Sequence, residues 1–223
     1  MRRIDLNVDI GEGFPHDACL LDFATSANIC CGEHAGSWEL TLGTIELCRA
    51  KGVRIGMHPG YADRDNLGRV APTEERGLSR SLLGQAHEFM KASPAAYVKP
   101  HGAWYNQIIA GETVGRFDPA SPLLSIVKEF RIPAMMLPVY RGLPAKWIIR
   151  EGFGDRAYLP DGRLVPRLEP GAVLHDPADV QRQVLELAKS VDSICLHGDT
   201  PDCLAFAELV RKSLEDAGYE VGV

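Results

Sequence analysis

Four times along this chain an apolar, strand-like run stops at a histidine with a glycine one or two places on, and no other feature limits the fold so strongly. Ile29-Cys30-Cys31 leads to Gly32-Glu33-His34-Ala35-Gly36, and Val53-Arg54-Ile55-Gly56-Met57 leads to His58-Pro59-Gly60. Ala95-Ala96-Tyr97-Val98 leads to Lys99-Pro100-His101-Gly102, and Ile194-Cys195-Leu196 leads to His197-Gly198-Asp199. One strand ending in a histidine is ordinary. Four of the seven histidines so placed predict several strands that deliver them to one rim.

The first strand adds to this. Ile4 to Ile10 alternates strictly, so Ile4, Leu6, Val8 and Ile10 share one face and Asp5, Asn7 and Asp9 the other. A wet edge strand would give the same pattern. The strand opens the chain, however, and Gly11-Glu12-Gly13 follows like a loop built for close backbone approach, which favours polar side chains in a barrel interior or mouth.

Further on, the signals alternate. A short helix is expected from Asp17 to Ala24 and a strand from Ser26 to Cys31. A helix capped by Ser37 and closed by Gly52 comes next, then a strand from Val53 to His58. Thr73 is expected to cap a helix to about Lys91, Ala95 to Lys99 to form the fourth strand, and Ser121-Pro122 to start another helix. Ala134 to Leu137 and Lys146 to Ile149 read as strands five and six, and Pro160-Asp161-Gly162-Arg163 as a hairpin turn. Asp176-Pro177 and Thr200-Pro201 open two more helices around a strand from Ser193 to His197, and Tyr219 to Val223 is expected to close the sheet. Strands alternating with helices predict a parallel sheet, and this many units predict an α/β fold, a TIM-like (β/α) barrel, as one domain over residues 1–223. No G-x-G-x-x-G follows the first strand and no P-loop occurs.

Composition narrows the class of function. A formal charge of -6 without a Lys/Arg cluster argues against nucleic acid, and no apolar run approaches a membrane span. Met1-Arg2-Arg3 is followed by acidic residues, not an apolar segment, so no signal peptide is expected. Six cysteines without C-x-x-C spacing suit buried reduced thiols and a cytoplasmic protein.

Taken in order, the stretches Asp5 to Glu12, Ser26 to Gly32 with His34 to Gly36, His58 to Tyr61 with Asp63-Arg64 and Gly68-Arg69, and Val98 to Asn106 resemble the LamB/YcsF lactam-utilisation family. So do Glu151 with Phe153 and Asp155 to Tyr158, Gly162 with Leu164-Val165 and Arg167, and Ile194 with His197 to Pro201. The resemblance implies a (β/α) barrel of the glycoside hydrolase/deacetylase type. It further implies the A subunit of an ATP-hydrolysing 5-oxoprolinase, which with two companions, the B and C subunits, opens 5-oxo-L-proline to L-glutamate. Glu33 and Leu67 depart from the pattern, and the connections Val70 to Ala96 and Gln107 to Arg150 look short.

Opening a lactam needs a polarised carbonyl, an activated water and a protonated leaving nitrogen, and phosphorylation of the oxygen by ATP needs cations nearby. Lys99, Arg69 and Arg156 are the candidate cations, while Asp5, Asp9 or Glu12 would hold Mg2+ with the nucleotide or orient water. His58, His101 and His197 are candidate proton carriers. Asn7, Asn28, His34, Asn106 and Asp155 join Asp5, Arg69 and Arg156 as candidate substrate contacts, and the N-terminus of the helix after Thr200-Pro201 suits a carboxylate or phosphate. Each has a plainer rival: Lys99 pairing with Asp5 or Asp9, His34 serving loop backbone, Asp63 and Arg64 bracing a loop, Trp104 and Tyr105 packing a core. His16, His87 and His175 lack such settings and are expected at the surface. Two other classes stay open, a metal-dependent amide or carbohydrate deacetylase and a non-catalytic substrate-binding subunit.

Overall fold

The computed structural model describes residues 2–199 and 202–223; Thr200 and Pro201, expected to open the last helix, lie outside the described residues. The chain begins in β1 (Arg2–Ile10) and then α1 (Asp17–Leu20), which is shorter than expected. β2 (Ser26–Cys30), α2 (Trp38–Lys51) and β3 (Arg54–His58) follow. The Ser37 hydroxyl accepts from the Leu40 amide and Gly52 takes the left-handed conformation, so α2 starts and stops where its sequence signals lie. α3 (Leu78–Ala92) starts later than Thr73, after Gly77 at φ 80°, and the Glu75 carboxylate accepts from the Arg116 amide instead of supporting a first turn.

Next come α4 (Gly102–Ala110), α5 (Ala120–Phe130), β4 (Ala134–Met136) and β5 (Ile148–Phe153). Ala145–Trp147 forms a single 3-10 turn, so strand β5 begins later than the sequence implies and carries Glu151. α6 (Pro177–Leu187), capped by Asp176, β6 (Ser193–His197), α7 (Cys203–Asp216) and β7 (Tyr219–Val221) complete the chain.

All strand pairs are parallel, in the order β3-β2-β1-β6-β5-β4, and helices pack on the outer face of the curled sheet. Six strands make this path, short of the eight of a full TIM barrel. The expected fourth strand is reduced to Val98, which bridges Met57 of β3 on one side and Ala134 of β4 on the other. Pro94, Pro100 and Pro133 lack amide hydrogens at its ends, which limits this ladder to a few bonds such as Lys99 N–H to Met57 O at 2.9 Å. β7 does not extend the path; it pairs with Arg2–Ile4 at the opposite end of β1 from Asp9.

The inward reading of β1 is borne out. Ile4, Leu6, Val8 and Ile10 are fully buried in the apolar core, while Asp5, Asn7 and Asp9 meet polar groups inside the curl. Register sets the layers. Asp5 and Glu151 both pair with Ser193, Asn7 with Cys195, and Asp9 with both Asn28 and His197. Gly56 makes room for Tyr97 here, since a Cβ would sit 2.2 Å from its ring. The Tyr97 hydroxyl reaches Asn28 Oδ1 at 2.7 Å.

Candidate functional site

The curl opens at the C-terminal ends of its strands into a cavity of about 600 Å³. Its floor is charged. Lys99 Nζ, nearly inaccessible, lies 2.8 Å from Asp9 Oδ1 and 2.8 Å from Glu151 Oε1, and 3.1 Å from Cys195 Sγ. Of the two pairings expected for Lys99, the structure has the one with Asp9 and not the one with Asp5. Burial opposes its charge, but Asp9, Cys195 and Glu151 outweigh that and hold the ammonium well above its ordinary pKa. Burial likewise opposes ionisation of Asp9, yet Lys99, His58 and His197 keep it well below the carboxylate range. Glu151 is pushed up by burial in spite of Lys99, so Asp9 is the anion and Glu151 the acid of this group that protonates first.

One wall carries His197, the last residue of β6. Asp155, in the loop after β5, lies 2.9 Å from its Nδ1 and also accepts its backbone amide. A carboxylate there fixes the proton on Nδ1 and leaves Nε2, 4.0 Å from Asp9 Oδ2, as a base. Burial opposes the Asp155 charge, but His197 outweighs it and lowers the pKa. Phe153 stacks on the imidazole at 5.5 Å, and Tyr105, expected as core, donates to Glu151 Oε2 and accepts from the Leu137 amide.

Opposite stand His58, the last residue of β3, and His101, just before α4. Their facing nitrogens are 2.9 Å apart, and His34 stacks flat on His101 at 3.8 Å between ring centroids. Burial first, and then neighbouring imidazoles, lower the pKa values of His34 and His101. No room remains for side chains beside this stack: a Cβ at Gly60 would lie 2.8 Å from His34 Nδ1, and one at Gly68 2.8 Å from His34 Cβ. That accounts for the glycines at these two positions.

At the lip, Arg69 and Arg167 both grip Asp199, at 2.7 and 2.5 Å. Burial raises the Asp199 pKa, but His197, Arg167 and Arg69 outweigh it and lower the value. Arg156 also lines the cavity while donating to the Ala172 and Val165 carbonyls, and burial followed by Arg167 brings its pKa down to about 10.

Of the sequence candidates, Asp9, His58, Lys99, His101, His197, Arg69, Arg156 and Asn106 line the cavity. Asn7 and Asn28 sit beneath the floor, hydrogen-bonded to each other and to Lys99 or Asp9. Asp5 is corrected from a substrate or magnesium contact to an interior brace, since Thr25, Ser26, Ser193 and Arg54 saturate its oxygens. Glu12 and His34 stand behind His101, 3.4 Å from each other, and Asp155 stands behind His197. Arg64 donates to Gly32 and Gly36 carbonyls, the loop brace expected of it, and Trp104 is core. His175 is exposed, as expected, and His87 largely so. Glu151, Cys195, Tyr97 and Arg167 complete the site without being among the sequence candidates. The signals for Glu151 are an acid inside β5 and its place among the stretches that carry the family resemblance.

Among the described residues, three groups bring metal-competent donors within 4.8 Å of one another: Asp9, His58 and His101; Asp9, Cys195 and His197; Glu12, His34 and His101.

The model of the LamB/YcsF family matches residues 4–222. The chain belongs to that family. A family relative from Neisseria meningitidis serogroup C, named as the A subunit of 5-oxoprolinase, is 37% identical over 249 residues covering 99% of each chain. One of the same name from Streptomyces griseus is 39% identical, covering 98% of each. Both alignments are longer than this 223-residue chain, so it carries gaps against these family members. The solved lactam utilization protein from Thermus thermophilus superposes with a TM-score of 0.81 at 31% identity, covering 100% of this chain and 99% of that one. A family 4 carbohydrate esterase from Streptomyces lividans shares the fold at a TM-score of 0.56 and 11% identity, covering 100% of this chain and 92% of the other.

Proposed function

We propose that this chain is the A subunit of an ATP-dependent 5-oxoprolinase, opening 5-oxo-L-proline to L-glutamate as ATP is hydrolysed, together with its B and C companions. One observation carries this: lip arginines and the Asp9, Lys99 and His197 groups share one cavity of about 600 Å³. The relatives' names and full-length coverage support it.

Within that proposal, Arg69 and Arg156 hold the substrate carboxylate, and Lys99 faces negative charge developing on the lactam oxygen. His197, oriented by Asp155, takes the proton of the attacking water through Nε2. With the lactam oxygen phosphorylated by ATP, water adds to the ring carbon, and the C–N bond breaks as the nitrogen takes the proton held by His197. The resulting acyl phosphate loses phosphate to a second water; the lip arginines are the groups on this chain that suit a phosphoryl oxygen. Magnesium fits poorly: Asp9 Oδ1 is occupied by Lys99 and Asn28, Oδ2 faces imidazole nitrogens, and Mg2+ demands oxygens. No step runs through it. A single domain, closure of the sheet into a wheel at Val98 and a cytoplasmic setting belong to the same proposal. The Val98 bridges and six free cysteines support the last two, and no described helix is long and apolar enough to cross a membrane.

Calorimetry with 5-oxoproline and the isolated chain tests the assignment. Binding that weakens about tenfold in Arg69→Met is expected for loss of one charge-assisted contact worth about 1.4 kcal/mol. Absence of binding, or equal binding by the variant, would overturn it. A metal-dependent amide or carbohydrate deacetylase is the second reading, favoured by the Asp9, His58 and His101 donors. Hydrolysis without ATP would select it.

A further inference from the structure

The contact between His58 and His101 is short of a proton. His58 Nδ1 lies 2.7 Å from the Lys99 carbonyl oxygen, and His101 Nε2 lies 2.8 Å from that of Leu67. A carbonyl only accepts, so both of those nitrogens carry hydrogen. In the neutral rings, His58 Nε2 and His101 Nδ1 are then bare lone pairs, and they face each other at 2.9 Å. Asp9 Oδ2 adds a third acceptor 3.4 Å from His58 Nε2. Three acceptors converging in a buried place repel unless a cation sits among them.

A shared proton would quiet one pair; a metal ion accounts for all three donors. Bonds of about 2.0–2.1 Å to a common ion place neighbouring ligand atoms about 2.9 Å apart at a right angle and about 3.3 Å apart at the tetrahedral angle. The two observed separations, 2.9 and 3.4 Å, bracket that range. Each imidazole already gives its far N–H to a backbone carbonyl, the outer arrangement that orients metal-binding histidines. Around them, His34 stacks on His101, and Gly60 and Gly68 admit that stack. The rings are thus held before any ion arrives. All three donor residues line the cavity, which leaves further coordination positions for water or substrate.

We propose that His58 Nε2, His101 Nδ1 and an Asp9 carboxylate oxygen form a site for a divalent transition ion of the zinc class, open toward the cavity. Two imidazoles and one carboxylate select such an ion over magnesium or calcium. The site stands whether or not the substrate is a lactam. It sits beside His197, across Asp9, where a bound ion would polarise a carbonyl or lower the pKa of a water.

Cobalt(II) is the probe. The chelator-treated full chain is titrated with it, following visible d–d absorption and the thermal midpoint. Stoichiometric binding with a rise in midpoint is expected, displaced by zinc. His58→Gln and His101→Gln should each weaken it at least 100-fold, beyond the 10–100-fold typical of losing an outer partner. His197→Gln should bind cobalt like wild type, which separates this site from the neighbouring Asp9, Cys195 and His197 donors. Should either glutamine variant fail to fold, Asp9→Asn supplies the same comparison. No cobalt spectrum and no shift in the wild-type midpoint would overturn the proposal and leave a shared proton between the rings. Wild-type affinity in a folded His101→Gln would overturn it equally.

Discussion

Replacing Lys99 by methionine removes the one ammonium that Asp9 and Glu151 share, at 2.8 Å from each. Methionine matches the length of the stem, so the loss is one of charge and not of volume. Breaking a buried pair by removing one partner costs about 3–5 kcal/mol, because the remaining charge is left without compensation. In a domain of this size each kcal/mol moves the thermal midpoint by about 2–4 °C, so Lys99→Met should lower it by about 6–20 °C. The double variant Lys99→Met/Glu151→Gln should recover at least half of that. Glutamine carries no charge and keeps an acceptor for the Tyr105 hydroxyl, so one of the two carboxylates left without a cation is removed. Calorimetric melting of the wild type, both single variants and the double variant measures the coupling directly. A Lys99→Met midpoint within 2 °C of wild type, or a double variant less stable than Lys99→Met alone, would refute Lys99 as the keystone of the floor.

Asp17 gives a pH-dependent test. Burial raises its pKa to about 6, above the unfolded value of about 3.9, so it favours the fold when protonated. That contribution is complete below about pH 4 and is lost as pH rises through about 6. The full difference is worth about 3 kcal/mol, and partial exposure brings it to about half. Asp17→Asn, which keeps an acceptor for the Gly11 amide, should gain about 1 kcal/mol over wild type in urea unfolding at pH 7.5 and nothing at pH 4; equal gaps at both pH values would contradict this. The glycines offer a steric contrast. Gly36 sits at φ 56° with a Cβ position 2.2 Å from the Gly11 carbonyl oxygen, whereas Gly52 at φ 67° faces open space. Gly52→Ala should cost about 1 kcal/mol of left-handed strain, and Gly36→Ala at least twice that or fail to fold. Similar losses by thermal melting would remove the close approach as the reason for Gly36.

What could be foreseen was where the strands end, because a histidine followed by glycine marks the break in an apolar run. His34, His58 and His101 do meet, with ring centroids 3.8 to 5.7 Å apart. Depth along the curl could not be foreseen. Asp5, Asn7 and Asp9 share a face, and alternation does not say which of them reaches the cavity. The pairing of Asp5 with Ser193 and of Asp9 with His197 decides it, and pairing partners come from opposite ends of the chain. For the same reason Glu151 and Cys195 look like ordinary strand residues in the sequence. The segment around Val98 reads as a full strand because its apolar side chains fit one. The prolines that shorten its ladder were visible, but the neighbour Pro133 that faces it was not.

The most direct measurement is glutamate release from 5-oxoproline, with ATP and the two companion subunits present. Turnover should require this chain and should fall at least 100-fold with a folded His197→Gln variant, the range expected for losing a general base. Wild-type turnover by the companions with that variant, or without this chain, would contradict the proposed chemistry.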